Sequence, residues 1–560
     1  MIKIIFSLIL LAAGPAAAQV EQINAFRANS GMRALTAQES SSSLAAIPEP
    51  VLEDIDQEKG LTDPKKIGDK IIHLIIKHPK AMHLVEYPIF KLMGFAHKHG
   101  KLIPTMEHVL RSPLMAKFLP PLPPAKREDY IKKFPRMIAA QLEGGGYVRG
   151  VEGFEDWDKM SERHIDLMKA SRYKPVSKGP SLFENPGYLA EIEAVTGAPF
   201  AFGHAVTPLV DGPASFAARE RIMRGATRSI HLMVWGFYDD VTGKATRDLL
   251  IAKKQQGLDV RVMVDGNISN FIGMESLKLL ADNGVQVARF WDAERKYDGM
   301  HSKVLVVDGE QAITGGMNIG DKYSHMNPDA HKWRDTDVLF AGPAAAAAQK
   351  IFADSWNAVA ASQQLTAMDG SAAPASAGSV RAALVYQRAG QEPAIYLSLL
   401  KAIYGATSSV NIENAYFVTI PSLKTALTEA IERGVKVTIL TNSAQSNNEP
   451  ILTSFILESM AEMQAAGAQV YAKEGETLHS KFMTVDGVFA TVGSYNFHPK
   501  SIRHEREITL HVLDRRFAGE LEAAFAADIA QAAKITDPAA LGLADNPLNY
   551  LARRYMFDQL

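Results

Sequence analysis

The chain contains one 18-residue pattern twice, and this repetition constrains its fold more than any other feature. The first copy runs from His301 to Asn318 (HSKVLVVDGEQAITGGMN) and the second from His479 to Asn496 (HSKFMTVDGVFATVGSYN). The shared polar positions all differ by 178 residues. At ordinary residue usage, one His-x-Lys-x4-Asp match in such a chain is expected about 0.05 times by chance. Two copies therefore indicate two repeats of one structural unit that share a site.

Each copy has the residue order of a β-hairpin. His301 and Lys303 open a β-branched run, so we expect the imidazole and the ammonium on one face of a strand. Asp308-Gly309 predicts a tight turn, and residues 311–315 predict the returning strand. The second copy predicts the same hairpin around Asp486-Gly487.

Both copies resemble the HKD signature of the phospholipase D superfamily, HxKxxxxD followed by G(G/S)xN, over about residues 202–525. The resemblance implies two α/β repeats, mixed sheets flanked by helices, that share one central site and use no cofactor. The catalytic positions of the signature and its supporting acids are His301, Lys303, Asp308, Asn318, Asp335, His479, Lys481, Asp486, Asn496 and Glu507. Gly316 and Ser494 are the expected substrate-binding positions.

The residue types suit attack on a phosphodiester. Lysine and asparagine side chains are donors that can hold the charge developing on the non-bridging oxygens. One imidazole can attack phosphorus while the other donates a proton to the leaving oxygen. The two copies are symmetric in this respect; the resemblance implies that His301 is the nucleophile and His479 the acid/base. A catalytic metal is not expected, because each histidine is accompanied by a lysine and the chain has no cysteine.

Four acids are expected to support the site. Asp308 and Asp486 lie at the turns, so we expect them to hold strand geometry and not to touch phosphate. Asp335, in a segment that resembles cardiolipin synthases, and Glu507, where that group has its late glutamate, should orient the imidazoles. The sequence departs from the family pattern at 498–501 and at Glu505, which leaves acceptor specificity open.

Alternating strand and helix patterns after residue 201 occur twice, which predicts repeats over 202–360 and 379–560 joined by an Ala/Ser-rich linker over 361–378. Residues 1–18 have a lysine, a short apolar run and Ala16-Ala17-Ala18, which predicts a signal peptide and a periplasmic or secreted protein. Residues 19–60 are interpreted as a flexible leader and residues 61–201 as a basic helical region. Disulfide partners are excluded because there is no cysteine.

The basic region carries the main charge asymmetry. Residues 61–140 contain fifteen Lys and Arg against six Asp and Glu, although the whole chain has a net charge of −2. This surplus indicates peripheral contact with an anionic membrane or, alternatively, with nucleic acid. An equally acceptable interpretation is a helical domain whose lysines simply face solvent.

Segments 333–343 and 415–442 most resemble the cardiolipin synthase branch. The resemblance therefore favours a phospholipase D-type phosphodiesterase or phosphatidyltransferase acting on phospholipids. A secreted, metal-independent nuclease is the alternative, although the pI of about 6.8 disfavours a polyanion binder. A binding protein with an inactive site is disfavoured, because both histidines, both lysines and both asparagines are present.

Overall fold

The structure is a computed structural model that describes residues 100, 102–111, 119, 121–143, 157–292, 295, 298–373 and 375–541. The predicted signal peptide, the leader and residues 61–99 of the basic region lie outside these residues. The chain divides into a smaller unit (1–120, 124–148 and 544–556) and a larger unit (121–123, 149–543 and 557–560). Over the described residues, no helix combines the length and the apolar character needed to cross a membrane.

The smaller unit contains helices α1 (Leu102–Leu110) and α2 (Pro124–Glu143). Helical spacing in the sequence predicts helices over 106–118 and 127–142. The second prediction is confirmed by α2, whereas α1 begins at Leu102 and ends at Leu110, and 112–118 lie outside the described residues. Several basic side chains of this unit have acidic partners: Arg111 and Lys132 with Glu128, Lys133 with Asp129, and Arg136 with Glu107.

The larger unit contains the two repeats. Its helices are α3 (Trp157–Lys169), α4 (Pro186–Thr196), α5 (Asp211–Gly225), α6 (Val241–Gln255), α7 (Met274–Asp282), α8 (Asp321–Ser324), α9 (Pro343–Ala360), α10 (Ala394–Gly405), α11 (Pro421–Glu432), α12 (Thr453–Ala465), α13 (Pro499–Arg503) and α14 (Arg515–Ile529). Single 3-10 turns occupy Leu182–Glu184, Ile268–Asn270, Ala361–Gln363, Pro450–Leu452 and Pro538–Leu541.

The strands fall into two sets with the same internal order. The first-repeat strands are β1 (Ala201–Val210), β2 (Ser229–Val234), β3 (Asp259–Asp265), β4 (Gln286–Phe290), β5 (Gly299–Met300), β6 (Val304–Val307), β7 (Gln311–Gly315), β8 (Trp333–Arg334) and β9 (Thr336–Ala341). The second-repeat strands are β10 (Val380–Gln387), β11 (Ser409–Asn414), β12 (Lys436–Asn442), β13 (Gln469–Lys473), β14 (Thr477–Leu478), β15 (Lys481–Val485), β16 (Phe489–Gly493), β17 (Glu505–Leu513) and β18 (Ala532–Lys534).

Sixteen of these strands form one continuous mixed sheet, in the order β18-β13-β12-β11-β15-β16-β17-β10-β1-β9-β7-β6-β2-β3-β4, with β5 paired to β17, and β8 and β14 form a separate two-stranded sheet. Seven strands of each repeat follow the same order outward from the β1–β10 junction, as a duplicated unit requires. The predicted class of two α/β repeats is confirmed. The sheets of the repeats are continuous, because Ala201 on β1 pairs with Ala382 on β10.

A buried apolar cluster packs on the junction between the repeats. It contains Phe340, Phe352 and Trp356 from the first repeat together with Phe482 and Phe525 from the second. The helices α9 and α14 contribute to it because each presents an apolar stripe to the sheet. The central strands that carry the site therefore lie on a shared core.

The two hairpins form as predicted, with one difference. The turns at Asp308-Gly309 and Asp486-Gly487 have positive φ at both residues, as a tight hairpin turn requires. The regular strands, however, begin at Val304 and Lys481, so both histidines precede their strands. His301 lies between β5, which pairs with the second repeat, and β6, which pairs with the first, so its segment crosses from one set of strands to the other.

Candidate active site

The two histidines are each held by an acid from the other repeat. His301 donates its Nδ1 proton to Glu507, at 3.0 and 3.1 Å from the two carboxylate oxygens. His479 Nδ1 lies 2.7 Å from Asp335 Oδ2. All four side chains are buried. Because Nδ1 is occupied in both rings, Nε2 is the nitrogen left for chemistry, and neither repeat completes the site alone.

Short strand pairings between the repeats bring these residues together. β5 pairs in parallel with β17, with Gly299 opposite Glu505, so His301 emerges beside Glu507. β8 pairs in parallel with β14, with Arg334 opposite Leu478. The amide of His479 then donates to the carbonyl of Arg334 at 2.7 Å, which sets the ring beside Asp335.

Both motif lysines are buried beside their own histidines. Nζ of Lys303 donates to the carbonyl oxygen of His301 at 2.5 Å, and Lys481 makes the equivalent bond to the carbonyl of His479. Burial lowers the pKa of Lys303 to about 8 and that of Lys481 to about 7, against the attraction of nearby carboxylates. An anion bound between the two ammonium groups would offset this cost, so the arrangement favours a phosphate.

The two asparagines differ in their contacts. The Asn318 amide accepts a bond from Gly236 N at 2.9 Å and donates to the Tyr323 hydroxyl at 3.0 Å. The Asn496 amide is 1% exposed and neither of its polar atoms has a hydrogen-bond partner among the described residues. A buried amide without partners is costly, so a ligand at Asn496 would gain a bond that the free protein lacks.

Gly316 and Ser494, the predicted substrate-binding positions, lie against the acids that hold the histidines. A Cβ at Gly316 would come within 2.2 Å of the Asp335 carboxylate, so glycine is needed for that acid to fit. Ser494 is fully buried and its hydroxyl donates to Glu507. Both residues support the acids behind the histidines, because these positions follow the returning strands β7 and β16, which pass beneath the acids.

Asp308 and Asp486 are outside the catalytic cluster, at the far ends of the strands that follow the histidines. The Asp308 carboxylate accepts bonds from the amides of Thr227, Arg228 and Ser229, at 2.8 to 3.0 Å. Asp486 does the same for residues 407–409. They tie each hairpin turn to the start of the neighbouring strand, which agrees with the expectation that they hold strand geometry.

A second buried carboxylate beside His301 was not assigned a role from the sequence. Glu505 Oε2 lies 3.9 Å from His301 Nδ1 and 3.9 Å from His498 Nε2, and Lys500 Nζ lies 3.6 Å from Oε1. Ser501 Oγ lies between the two acids, 2.8 Å from Glu505 and 2.7 Å from Glu507, so its single proton is donated to one carboxylate at a time. In the sequence, the only signal for Glu505 was its departure from the family pattern. That its carboxylate lies beside His301 could be seen only in the structure.

Aromatic rings surround His479, which sequence reasoning also missed. Tyr323, Trp333 and Tyr416 have ring centroids 5.4, 5.0 and 6.3 Å from the imidazole. Lys322 Nζ lies 4.0 Å from the Trp333 centroid. Burial and then the charges of Lys481 and Lys303 place the pKa of His479 well below its ordinary value. Burial likewise raises the pKa of Asp335 well above its ordinary value.

One group of side chains in the described part of the chain has the spacing of a metal site. His301, Glu505 and Glu507 each offer an atom within 4.8 Å of the others. Lys500 Nζ lies 3.6 Å from Glu505, and the buried Lys303 is attracted to both Glu505 and Glu507. Because these cations already neutralise the carboxylates, we retain the interpretation that the acids serve the imidazole of His301.

The sequence matches a family model described as "Cardiolipin synthase, PLD-like domain" over residues 220–356 and 399–529. Cardiolipin synthase A of Pseudomonas entomophila is 32% identical over 334 residues, which cover 59% of this chain and 69% of the relative. Cardiolipin synthase A of Pseudomonas putida (strain GB-1) is 30% identical over 383 residues, covering 67% and 79%.

A solved structure has the same fold at lower sequence similarity. Phosphatidylserine synthase of Haemophilus influenzae superposes with a TM-score of 0.53 at 14% identity, covering 66% of this chain and 97% of that one. Together with the two HKD hairpins and the crossed histidine–acid pairs, these matches show that the chain belongs to the phospholipase D superfamily, in its cardiolipin synthase branch.

Proposed function

We propose that the protein transfers or hydrolyses the phosphatidyl group of a glycerophospholipid through a covalent phosphohistidine. The observation that carries this proposal is the pair of histidines, each fixed at Nδ1 by a buried carboxylate, beside two buried lysines and an unpartnered asparagine. Relatedness to cardiolipin synthases supports a phospholipid as the substrate.

The reaction has two balanced steps. In the first, Nε2 of His301 attacks phosphorus, the bond from phosphorus to the leaving oxygen breaks, and His479 supplies the proton to that oxygen. In the second, an alcohol or water gives its proton back to His479 while its oxygen attacks phosphorus and the phosphorus–nitrogen bond breaks. Lys303, Lys481 and Asn496 hold the non-bridging oxygens throughout.

The charges around the two rings favour this assignment of roles. An imidazole that carries phosphorus at Nε2 and a proton at Nδ1 is a cation, so it is stabilised by nearby carboxylates. His301 has two of them, Glu507 in direct contact and Glu505 at 3.9 Å. The same argument disfavours His479, which has one acid and is surrounded by rings and ammonium groups.

His479 suits the acid/base role because its low pKa makes its protonated form a strong acid. In the free protein, burial and then the charges of Lys481 and Lys303 lower the pKa of this ring. A bound phosphodiester would offset those charges, so we propose that His479 takes up its proton as the anionic substrate binds. The proton would then be available at Nε2, because Nδ1 faces Asp335.

The test uses purified full-length protein in chelator with phosphatidylglycerol vesicles, with and without glycerol. Formation of cardiolipin, of phosphatidic acid, or of an exchanged head group supports the proposal and identifies the acceptor. Single-stranded and duplex DNA are incubated in parallel. Cleavage of DNA with no lipid product would replace the proposal by the nuclease alternative.

Histidine variants test the shared site in the same assay. His301→Ala and His479→Ala should each lower turnover by about 10³-fold or more, because groups that act as one unit do not contribute additively. Denaturing His479→Asn at alkaline pH during turnover should trap phosphorus on His301, because a phosphorus–nitrogen bond is labile to acid. An adduct found on His479 in His301→Asn, with none on His301 in the reverse variant, would exchange the two roles.

We also propose that the protein is exported and contacts anionic membrane through the basic region. The signal-like residues 1–18 support export, and the mature protein should begin at Gln19 when its amino terminus is sequenced; an uncleaved amino terminus would contradict this.

Replacing Lys91, Lys98 and Lys101 by Gln should weaken vesicle binding at low salt. The matched control is Lys132→Gln with Lys133→Gln, because these lysines already pair with acids; equal effects of both sets would contradict specific docking.

A further inference from the structure

Three large apolar side chains are strongly exposed on neighbouring loops of the first repeat. Phe271 is 84% exposed, Met274 is 56% exposed and Trp291 is 44% exposed. We call these three residues the apolar rim. Apolar side chains exposed together beside a site mark a surface that meets another apolar phase, whereas scattered ones do not.

The rim lies at the edge of the sheet where the active site is. Strands β2, β3 and β4 are parallel, with Val234 beside Val264 and Asp265 beside Phe290, so their carboxyl ends share one edge. Phe271 and Met274 follow β3, and Trp291 follows β4 directly. β6 runs antiparallel to β2, so the residues before it, including His301, are at this same edge.

A single buried carboxylate connects the rim loop to the catalytic segment. Asp265 Oδ1 accepts bonds from the amides of Asn267 and Ile268, at 2.9 and 3.0 Å, at the start of the loop that carries Phe271. Its other oxygen accepts from the amide of Met300 at 2.8 Å. Met300 immediately precedes His301, so the rim and the proposed nucleophile are positioned by the same residue.

The neighbouring loops are fixed to one another as well. Asp239 accepts bonds from the amides of Glu275 and Ser276, which holds the first turn of α7 behind Met274. A Cβ at Gly266 would come within 2.5 Å of the Trp291 indole, so this ring lies directly on the β3 loop. These contacts therefore fix the loops that carry the apolar rim, while the three rim side chains remain exposed to solvent.

We propose that the apolar rim inserts into the interfacial layer of a phospholipid bilayer and seats the active-site edge on that surface. The inference rests on the proposed function in one respect: a phospholipid with two acyl chains resides in a bilayer, so its enzyme must meet one. Phenylalanine, tryptophan and methionine suit this phase, since aromatic side chains concentrate at membrane interfaces. Continuity with His301 through Asp265 places the inserted side chains beside the entrance that the lipid head group must reach.

The experiment measures co-sedimentation of the full chain with vesicles of phosphatidylcholine and phosphatidylglycerol, without turnover. Phe271→Ser combined with Met274→Ser should weaken partitioning about tenfold, because two large apolar side chains lose their burial in the bilayer. Phe202→Ser is the matched control, because Phe202 is 69% exposed but far from the rim. It lies near Ala382 at one end of β10, whereas the active site lies near Gln387 at the other end. The difference should persist in about 1 M salt, where charge attraction is screened beyond about 3 Å.

A second readout reports insertion directly. Trp291 is the most exposed of the five tryptophans, so brominated lipids should quench part of the protein's emission, and Trp291→Phe should remove that quenching. Equal partitioning of the double variant and the Phe202 control would overturn the proposal. So would a change in oligomeric state of the double variant without lipid, with vesicle binding unaltered, because the rim would then contact a second copy. Rim-dependent binding in a protein that proves unable to process phospholipid would support the rim and refute only the proposed function.

Discussion

At the scale of single residues, the two copies of the motif are chemically alike but electrostatically different. The sequence pairs each histidine with a lysine, an aspartate and an asparagine at one spacing. The structure surrounds His301 with Glu505 and Glu507, and His479 with aromatic rings and Asp335. A duplicated site that must supply both a nucleophile and an acid needs such a difference, because one protonation state cannot serve both tasks.

The buried lysines predict an alkaline limit to activity. Lys481 and Lys303, with pKa values lowered by burial to about 7 and about 8, must be charged to hold a phosphodiester. The value of kcat/KM for a soluble diester should therefore fall as pH rises through 7 to 8, well below the ordinary lysine pKa of about 10.4. A pH–rate profile measures this. The alkaline limb of the kcat profile should lie at higher pH than that of kcat/KM, because bound phosphate stabilises the charged ammonium groups.

Lys481→Arg provides the control for this limb. Arginine stays charged across this pH range, so the alkaline limb of the variant should move to higher pH. This shift is expected even if the altered geometry lowers the rate. An unchanged limb in Lys481→Arg would assign the ionisation to another group. Lys500→Gln is a comparison outside the motif pair, since that side chain is partly exposed and pairs with Glu505.

Sequence reasoning identified the residues that meet in the site, because the repeated spacing was informative on its own. It could not predict that Asp335 holds His479 and Glu507 holds His301, since that crossing depends on β5 and β8 pairing with strands of the other repeat. It also could not separate Asn318 from Asn496. Their motifs are equivalent. The two amides differ because Tyr323 is placed to accept a hydrogen bond from Asn318.

At the scale of elements, the hairpin turns separate structural from catalytic residues within one motif. Asp308 has φ of 57° and accepts bonds from three consecutive amides. Asp308→Ala should lower the free energy of unfolding by about 1–3 kcal/mol, because those amides lose a charged acceptor and alanine is strained in this conformation. Asp308→Asn should recover part of the loss, since asparagine tolerates positive φ and keeps an acceptor.

Thermal denaturation and turnover of the same variants distinguish the two kinds of residue. Asp308→Ala should melt earlier yet retain much of its turnover well below its melting temperature. His301→Ala should show the opposite result, with little change in melting and nearly complete loss of turnover. A loss of turnover in folded Asp308→Ala comparable with that of His301→Ala would place this aspartate in the catalytic machinery.

Element ends were predicted less well than element order. Helical spacing in the sequence predicts a first-repeat helix from Thr246 to Gln256, but α6 begins at Val241. Asp240 caps it by accepting a bond from Gly243 N, and Asp321 accepts a bond from the amide of Thr242. The first cap is local and could have been read from the sequence. The second comes from a residue near the other end of the repeat, which periodicity cannot reveal.

At the scale of the whole larger unit, the repeats are joined by more than the linker. Strand pairs β1–β10, β5–β17 and β8–β14 each cross between them. Buried Arg334 of the first repeat contacts Asp528 at 2.8 Å and Glu413 at 3.5 Å, both from the second. Removing one member of such a buried charge group is costly, so these contacts oppose separation of the repeats.

This architecture predicts that the linker is dispensable once the protein has folded. A protease site inserted after Ala373, which is exposed within the predicted linker, should allow cleavage between the repeats. The two fragments should then co-elute in gel filtration and keep most of their turnover, because the shared sheet and core hold them together. Denaturant should be needed to separate them. Either fragment expressed alone should be inactive, since His301 would lack Glu507 and His479 would lack Asp335. Turnover by the amino-terminal fragment alone, or loss of activity on cleavage without dissociation, would show that the crossed pairs are not what completes the site.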